Sequence, residues 1–208
     1  MAIKNKSVLI TSGPTWVAID SVRVISNIAT GETGLLLAER LAKLGAKVTL
    51  ILGPVEACCL NKKIRVLRFR FFNELKNIIF AELKSKKYDI LIHAAAVSDF
   101  RPKLTYKQKI DSHKRELRLN LVPTPKIISF IKKLRKNIFL VGFKFIPQAK
   151  RSVLIKASNK LLQESGADLV VANTIDKARY SAYLIEKNST DGPLASKKIM
   201  AKHLIKRF

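Results

Sequence analysis

Asn27 lies in a run of small and polar residues, Ser26-Asn27-Ile28-Ala29-Thr30-Gly31-Glu32-Thr33-Gly34, which follows Ser12-Gly13-Pro14-Thr15 along the chain. A neutral amide among serine, threonine and glycine suits an anion. Loop N–H groups and a helix start point outward with partial positive charge, and the amide donates without adding charge of its own. The chemistry such a loop serves is the binding of a phosphate or acyl phosphate. Neither the GxGxxG dinucleotide fingerprint nor the GxxxxGK[ST] phosphate loop is present. Thr30 is also an ordinary helix N-cap residue, so a tight turn that merely starts a helix accounts for the same letters.

Three more segments carry residues suited to a ligand: 93–101 (HAAAVSDFR), 142–145 (GFKF) and Ala172-Asn173-Thr174. The alanines allow close approach of a flat ligand, and Asp99 and Arg101 offer polar contacts. A Ser-His-Asp hydrolase would need a GxSxG elbow, which is missing. His93, His113 and His203 stand in unrelated contexts, which also argues against a histidine metal site, and His93 at a strand end reads as a core histidine. Cys58 and Cys59 are adjacent. They cannot form an ordinary disulfide with each other and lack metal-ligand spacing, which fits a reducing cytoplasm.

These segments fall where strands should end. Apolar, β-rich runs at 7–11, 47–52, 65–69, 89–93, 139–142 and 168–172 alternate with helical patterns at 32–44, 73–85, 124–135 and 151–164. The alternation predicts βαβ units: a Rossmann-like, mainly parallel sheet with helices on both faces. In the first helix Leu37, Leu41 and Leu44 recur at helical spacing beside Ala38 and Ala42, with Glu39, Arg40 and Lys43 on the wet face. Residues 182–186 read as an edge strand and 197–208 as a closing helix. Residues 101–121 are dense in charge and poor in core material, so they read as a projecting flap. Alternation of Leu117, Leu119 and Leu121 suggests a short strand there. Ligands of open α/β sheets lie beyond the carboxyl ends of the strands, where all four chemical segments fall.

The 208 residues fit one domain with this flap, and 48% hydrophobic content is enough for a core. No apolar run is long enough to span a membrane, and the basic-then-apolar start reads as a first strand and not a signal peptide. The net charge of +25 raises the question of a nucleic-acid partner. The lysines are spread along the whole chain without an RNP-like, zinc-finger or arginine-rich motif, which argues against one, and small anionic substrates account for the charge as well.

The blocks SVLITSGPTWVAIDSVRVISNIATGETG, DILIHAAAVSDFRP, KIDSHKRELRLNLVPTPKII, FLVGFK and ADLVVAN, in that order, resemble the phosphopantothenate–cysteine ligase (phosphopantothenoylcysteine synthetase) family over about residues 7–174. The resemblance is greatest to stand-alone bacterial synthetases, which lack a flavin-dependent decarboxylase domain in front. It implies a cytoplasmic ligase of coenzyme A synthesis. That enzyme activates 4′-phosphopantothenate with CTP (ATP in eukaryotic members), with Mg²⁺ on the phosphates, and lets cysteine attack the acyl-nucleotide. It also implies a homodimer in which the flap region 103–121 of one subunit completes the other's site.

Residue by residue, the resemblance implies that Asn27 contacts the acyl-nucleotide and that Lys109 is a mobile flap cation closing on it. Gly13, Thr30 and Gly31 would receive phosphate. Ala95 and Asp99 would belong to the nucleotide segment, and Pro125, Lys126, Ile127, Ile128 and Phe143 would frame the base. Lys160 would reach the triphosphate, and Asn173 would bind substrate. The flap reads Lys109-Ile110-Asp111-Ser112 where many relatives have KIKK, and a second helix lysine is replaced by Glu164 unless Lys156 serves instead. Trp16 stands where relatives carry a smaller or polar residue. The metal ligands are not indicated. Two other classes share features with the chain. A short-chain-type NAD(P)-dependent oxidoreductase would need a glycine-rich fingerprint, which is absent, and a Tyr-x-x-x-Lys pair. A basic RNA-binding module would need the recognition motifs already noted as missing.

Overall fold

Val8, Leu9 and Ile10 are apolar at every position, the pattern of a strand covered on both faces, and all three are fully buried. In the computed structural model, which describes residues 3–56 and 60–208, they form the middle of β1 (Ser7–Ser12). A hairpin of β2 (Trp16–Ala18) and β3 (Val24–Ser26) follows, then α1 (Glu32–Lys43), β4 (Lys47–Leu52), β5 (Arg65–Arg68), α2 (Phe72–Ser85) and β6 (Ile90–His93). Next come β7 (Phe100–Pro102), β8 (Leu121–Pro123), α3 (Ile128–Leu134), β9 (Phe139–Phe145) and α4 (Arg151–Ser165). The chain closes with β10 (Leu169–Asp176), β11 (Arg179–Glu186), β12 (Ser189–Leu194) and α5 (Lys197–Ile205). Cys58 and Cys59 lie outside the described residues.

The main sheet has the order β12-β11-β10-β9-β6-β1-β4-β5. Pairing is parallel from β10 to β5 and antiparallel at β10–β11 and β11–β12. The chain leaves β1 toward β4 and β5, then returns to the other side of β1 with β6, β9 and β10. The strand order therefore reverses at β1 and β6, which opens a crevice at their carboxyl ends. Alternate residues feed opposite cores. Val8 and Ile10 pack with Leu37 and Leu41 of α1 and Leu204 of α5, while Leu9 packs with Leu75 and Ile79 of α2 and Ile131 of α3. Among the described residues no helix is long and apolar enough to cross a membrane.

Several boundaries differ from expectation. Residues 124–127 are not helical. Pro125 disfavours a helical Thr124, whose N–H donates to the Asp99 carbonyl at 2.9 Å, so α3 starts at Ile128. Residues 182–186 are not an edge: β11 starts at Arg179 and is covered by β12, whose polar STDGPL carries no alternating apolar signal. Leu44 caps α1 and is exposed. Leu117 and Leu119 are not in a strand; only Leu121–Pro123 pairs, antiparallel with Phe100–Pro102. The β2–β3 hairpin interrupts a segment expected to be loop. Its first strand is docked by Trp16, whose N–H donates to the Arg70 carbonyl at 2.7 Å and whose ring meets Phe71 edge-on at 6.1 Å. That contact accounts for the large side chain at position 16.

At the opposite end of the sheet, buried Glu82 of α2 accepts two bonds from Arg65 (2.6 and 3.0 Å) and one from Tyr88 (2.5 Å). Burial pushes the Tyr88 phenol up to about 12, and the Glu82 bond adds to this. The cluster ties α2 to the strand starts, on the side away from the crevice.

Candidate active site at the β1–β6 crevice

The first wall of the crevice is the junction of β1 and α1. Gly13 (φ +83°) turns the chain out of β1, and Gly31 (φ +72°) caps α1 in a left-handed conformation that a side chain would strain. Ser12 Oγ donates to the Gly31 carbonyl at 2.8 Å. Gly34 allows the helix to lie directly on the strand, because a Cβ there would sit 2.4 Å from Ser12 Cβ. The expected N-cap, Thr30, is one residue early; its Oγ1 accepts from Glu32 N at 3.4 Å while Gly31 occupies the cap. Glu32 is itself paired with Lys197 of α5.

The second wall is the segment after β6, laced to the first. The Asn27 side-chain amide donates to the Ala96 carbonyl at 3.1 Å. Thr15 N donates to the same carbonyl at 3.2 Å, and Ala96 N donates to the Gly13 carbonyl at 2.9 Å. Thr15 Oγ1 accepts from Ser98 N at 2.9 Å, and Thr124 Oγ1 donates to the Ser98 carbonyl at 2.5 Å. Gly13, Asn27, Ala95 and Asp99 are thus brought to one rim with exposed Pro125 and Lys126. The Asp99 carboxylate is engaged by the Lys126 ammonium. Ile127 and Ile128 belong to the core, so only their backbone is available to a ligand. His93 is buried with Nδ1 2.9 Å from Thr11 Oγ1, and burial lowers its pKa to about 4. It is a neutral core histidine, as its strand-end position suggested.

The third wall is β9–β11. Phe143 and Tyr180 pack against the α1/α5 core, and Asn173 shares the strand parity of Leu169 and Val171 in that core. Asn173 Oδ1 and the Tyr180 hydroxyl are buried without a hydrogen-bond partner among the described residues. Asn173 pairs with Ala182 in the ladder, so Tyr180 is its diagonal neighbour on the same face. Burial, then the charge of Glu32, pushes the Tyr180 phenol up to about 12, so it stays a neutral donor. Sequence reading passed over Tyr180 because a tyrosine after a turn carries no distinguishing pattern.

Outside these walls, Lys109 is exposed on the flap, in a shallow hollow with Tyr106, Lys107, Asp111 and Lys114. Lys160 lies mid-way along α4, 3.7 Å from Glu164, and every residue lining the hollow beside it, Lys156 included, comes from α4. The loops that gather Asn27 and Asp99 do not reach it. The buried Asp20 carboxylate, in the β2–β3 turn, touches the flap. Burial alone would raise its pKa, but amide bonds from Ile110, Val22 and Arg23 and the Arg23 guanidinium outweigh that and hold it well below the usual carboxylate range.

Among the described residues no group of three or more His, Cys, Asp or Glu is arranged to hold a metal ion. Tyr183 and Lys187 have the Tyr-x-x-x-Lys spacing of short-chain oxidoreductases. However, Tyr183 is in extended β11, where four residues span about 13 Å, so the two do not form a catalytic pair.

A family model described as DNA/pantothenate metabolism flavoprotein C-terminal domain matches residues 3–208. The coenzyme A biosynthesis bifunctional protein CoaBC of Thermococcus kodakarensis is 42% identical over 176 residues, which cover 84% of this chain and 42% of that protein. The chain spans about half the length of the curated relatives it matches. Among solved structures, the DNA/pantothenate metabolism flavoprotein from Streptococcus pneumoniae superposes with a TM-score of 0.87 at 28% identity, covering 97% of each chain. The C-terminal domain of a CoaBC protein superposes with a TM-score of 0.79 at 25% identity, covering 100% of this chain and 96% of that one.

Proposed function

Because the chain belongs to the DNA/pantothenate metabolism flavoprotein C-terminal domain family, we propose that it is a cytoplasmic phosphopantothenate–cysteine ligase of coenzyme A synthesis, using CTP in preference to ATP. The observation that carries this reading is the Asn27–Ala96 bond, which holds a neutral amide at the strand-order reversal beside backbone donors. An activated acyl phosphate needs that environment. Its charge grows on the phosphoryl oxygens and then on the tetrahedral carbon, where fixed dipoles act without reorganising. Asn27 and the N–H groups of the Gly13 and Gly31 turns hold the phosphate and acyl oxygens. Asn173 Oδ1 and the neutral Tyr180 hydroxyl offer an acceptor and a donor to the polar atoms of a substrate along the third wall. Lys109 brings a positive charge from the flap.

Mg²⁺ bound with the nucleotide would neutralise phosphate charge while drawing little on protein carboxylates. The site fits this role, since Glu32 and Asp99 at the crevice walls are each paired with a lysine. The protein works as a homodimer. Exposed Val22, Ile28, Phe100, Leu104, Leu117 and Leu121 are concentrated in the hairpin, its following loop and the flap, where a second copy covers them.

Pyrophosphate release with phosphopantothenate, cysteine and either CTP or ATP tests the reading. Turnover requiring all substrates and faster with CTP is expected. No turnover with either nucleotide sinks the ligase assignment, and equal kcat/KM sinks the CTP preference.

A further inference from the structure

Asp20 is a carboxylate with a fully buried side chain, next to the exposed Ser21 and Val22. A buried charge is tolerated only when it is fully hydrogen-bonded, and each oxygen here has two donors. Oδ1 accepts from Val22 N (2.9 Å) and Arg23 N (2.8 Å), a local turn of the kind aspartate commonly makes. Oδ2 does something a turn does not need. It accepts from Arg23 Nη1 (2.5 Å) and from the flap amide Ile110 N (3.0 Å), 90 residues away. The same Arg23 nitrogen donates to the Ile110 carbonyl at 3.1 Å. Both backbone polar groups of Ile110 are therefore held by one ion pair, and the Ile110 side chain is buried. A further bond joins Tyr106 N to the Ile19 carbonyl at 3.0 Å. Residues 103–109 and 111–118 on either side are exposed throughout. Ile110 is the buried anchor of this charged, projecting segment, and it is the neighbour of Lys109.

We infer that Asp20, acting with Arg23, is the positioning group of the flap: it fixes the backbone at Ile110 and so the point from which Lys109 extends toward bound substrate. The inference rests on the reading above for the role of Lys109 and adds what holds it in place. A cation on an untethered loop of this length would spend most of its time elsewhere, and its contribution would fall with that occupancy. Asp20 touches no reacting atom in this scheme. It acts through the Ile110 backbone.

The test combines limited trypsin digestion with kinetics on the full-length protein, comparing wild type, Asp20→Asn, Arg23→Met, Lys109→Gln and Asp20→Asn/Lys109→Gln. Lys103, Lys107, Lys109, Lys114 and Arg115 make the flap a natural trypsin target. Asp20→Asn is expected to speed flap cleavage by about tenfold or more with other sites unchanged, because local opening becomes easier while the core is untouched. It is expected to lower kcat about tenfold with KM for CTP nearly unchanged, since displacing a catalytic group mainly costs turnover. In the Lys109→Gln background it should cost little more. Arg23→Met keeps the local turn and should loosen the flap in the same direction, which guards against a folding failure of Asp20→Asn. Flap cleavage unchanged in both variants, or kcat losses that multiply independently, overturns the inference. Accelerated cleavage beside a fully active Lys109→Gln supports the tether and instead sinks the role assigned to Lys109.

Discussion

The side-chain nitrogen of Asn27 lies 3.1 Å from the carbonyl oxygen of Ala96, joining the loop before α1 to the loop after β6 across the point where the strand order reverses. A donor is required at that atom. Asn27→Asp substitutes an anionic oxygen that faces the Ala96 carbonyl and any bound phosphate. Loss of an oriented donor of this type costs on the order of 10²-fold in turnover. The defect should appear in pyrophosphate release without cysteine and should persist at saturating cysteine. A wild-type rate in that half-reaction would remove Asn27 from the site.

Gly34→Ala tests the contact of α1 with β1. Alanine is the better helix former by about 1 kcal/mol, but its Cβ would stand 2.4 Å from Ser12 Cβ, a side-chain carbon that no χ rotation moves. Overpacking of this kind costs about 1–3 kcal/mol. A lower midpoint in urea is expected, together with weaker nucleotide binding as the Gly31 turn shifts. An unchanged or higher midpoint would show that the helix start can slide.

Tyr180→Phe should separate stability from binding. The hydroxyl is buried with no partner among the described residues, so its removal relieves an unmet hydrogen bond and should leave stability unchanged or slightly raised. If substrate supplies the partner, its affinity should fall about five- to tenfold, the worth of one neutral hydrogen bond. Loss of stability with unchanged affinity would count against the third wall as a binding surface.

The pH dependence of folding should carry the signature of His93. Its folded pKa is lowered by burial from 6.5 to about 4, so the unfolded chain binds the proton first as pH falls. Stability from this residue is full above pH 6.5 and declines toward pH 4, by on the order of 2–3 kcal/mol. His93→Gln should flatten the difference curve between those limits, while the carboxylates contribute equally to both proteins. Parallel curves for wild type and variant would exclude a buried neutral histidine.

Leu104→Glu should break self-association. The side chain is 74% exposed in the single chain and lies among the apolar residues assigned to the dimer surface. Two copies of a charge placed at an isologous contact repel. Wild type is expected to sediment as a dimer at micromolar concentration and the variant as a monomer with reduced activity. A monomeric wild type with full activity would overturn the assignment.

Much of the parallel half was legible because its signals are local. Val8-Leu9-Ile10 and Leu91-Ile92 announce strands covered on both faces, and Leu37 and Leu41 announce the helical face between them. The ends of those strands then had to converge, which is why Gly13, Asn27, Ala95 and Asp99 were found together. The sequence alone therefore determined the alternation of elements, the end of the sheet at which the candidate site residues gather and the family resemblance. Tertiary structure decided what depends on a distant partner. Nothing within STDGPL marks a strand, and β12 forms because β11 offers it an edge. Ile127 and Ile128 look like any loop-to-helix residues until α3 turns them into the core. Lys160 matched a motif, yet the helix that carries it leaves it beside Glu164, facing outward. Asp20 and Ile110 are 90 residues apart, and neither letter signals the other. Periodicity reports which face of an element is buried, whereas hydrogen-bond partners across the chain are chosen only when the packed elements bring them within reach.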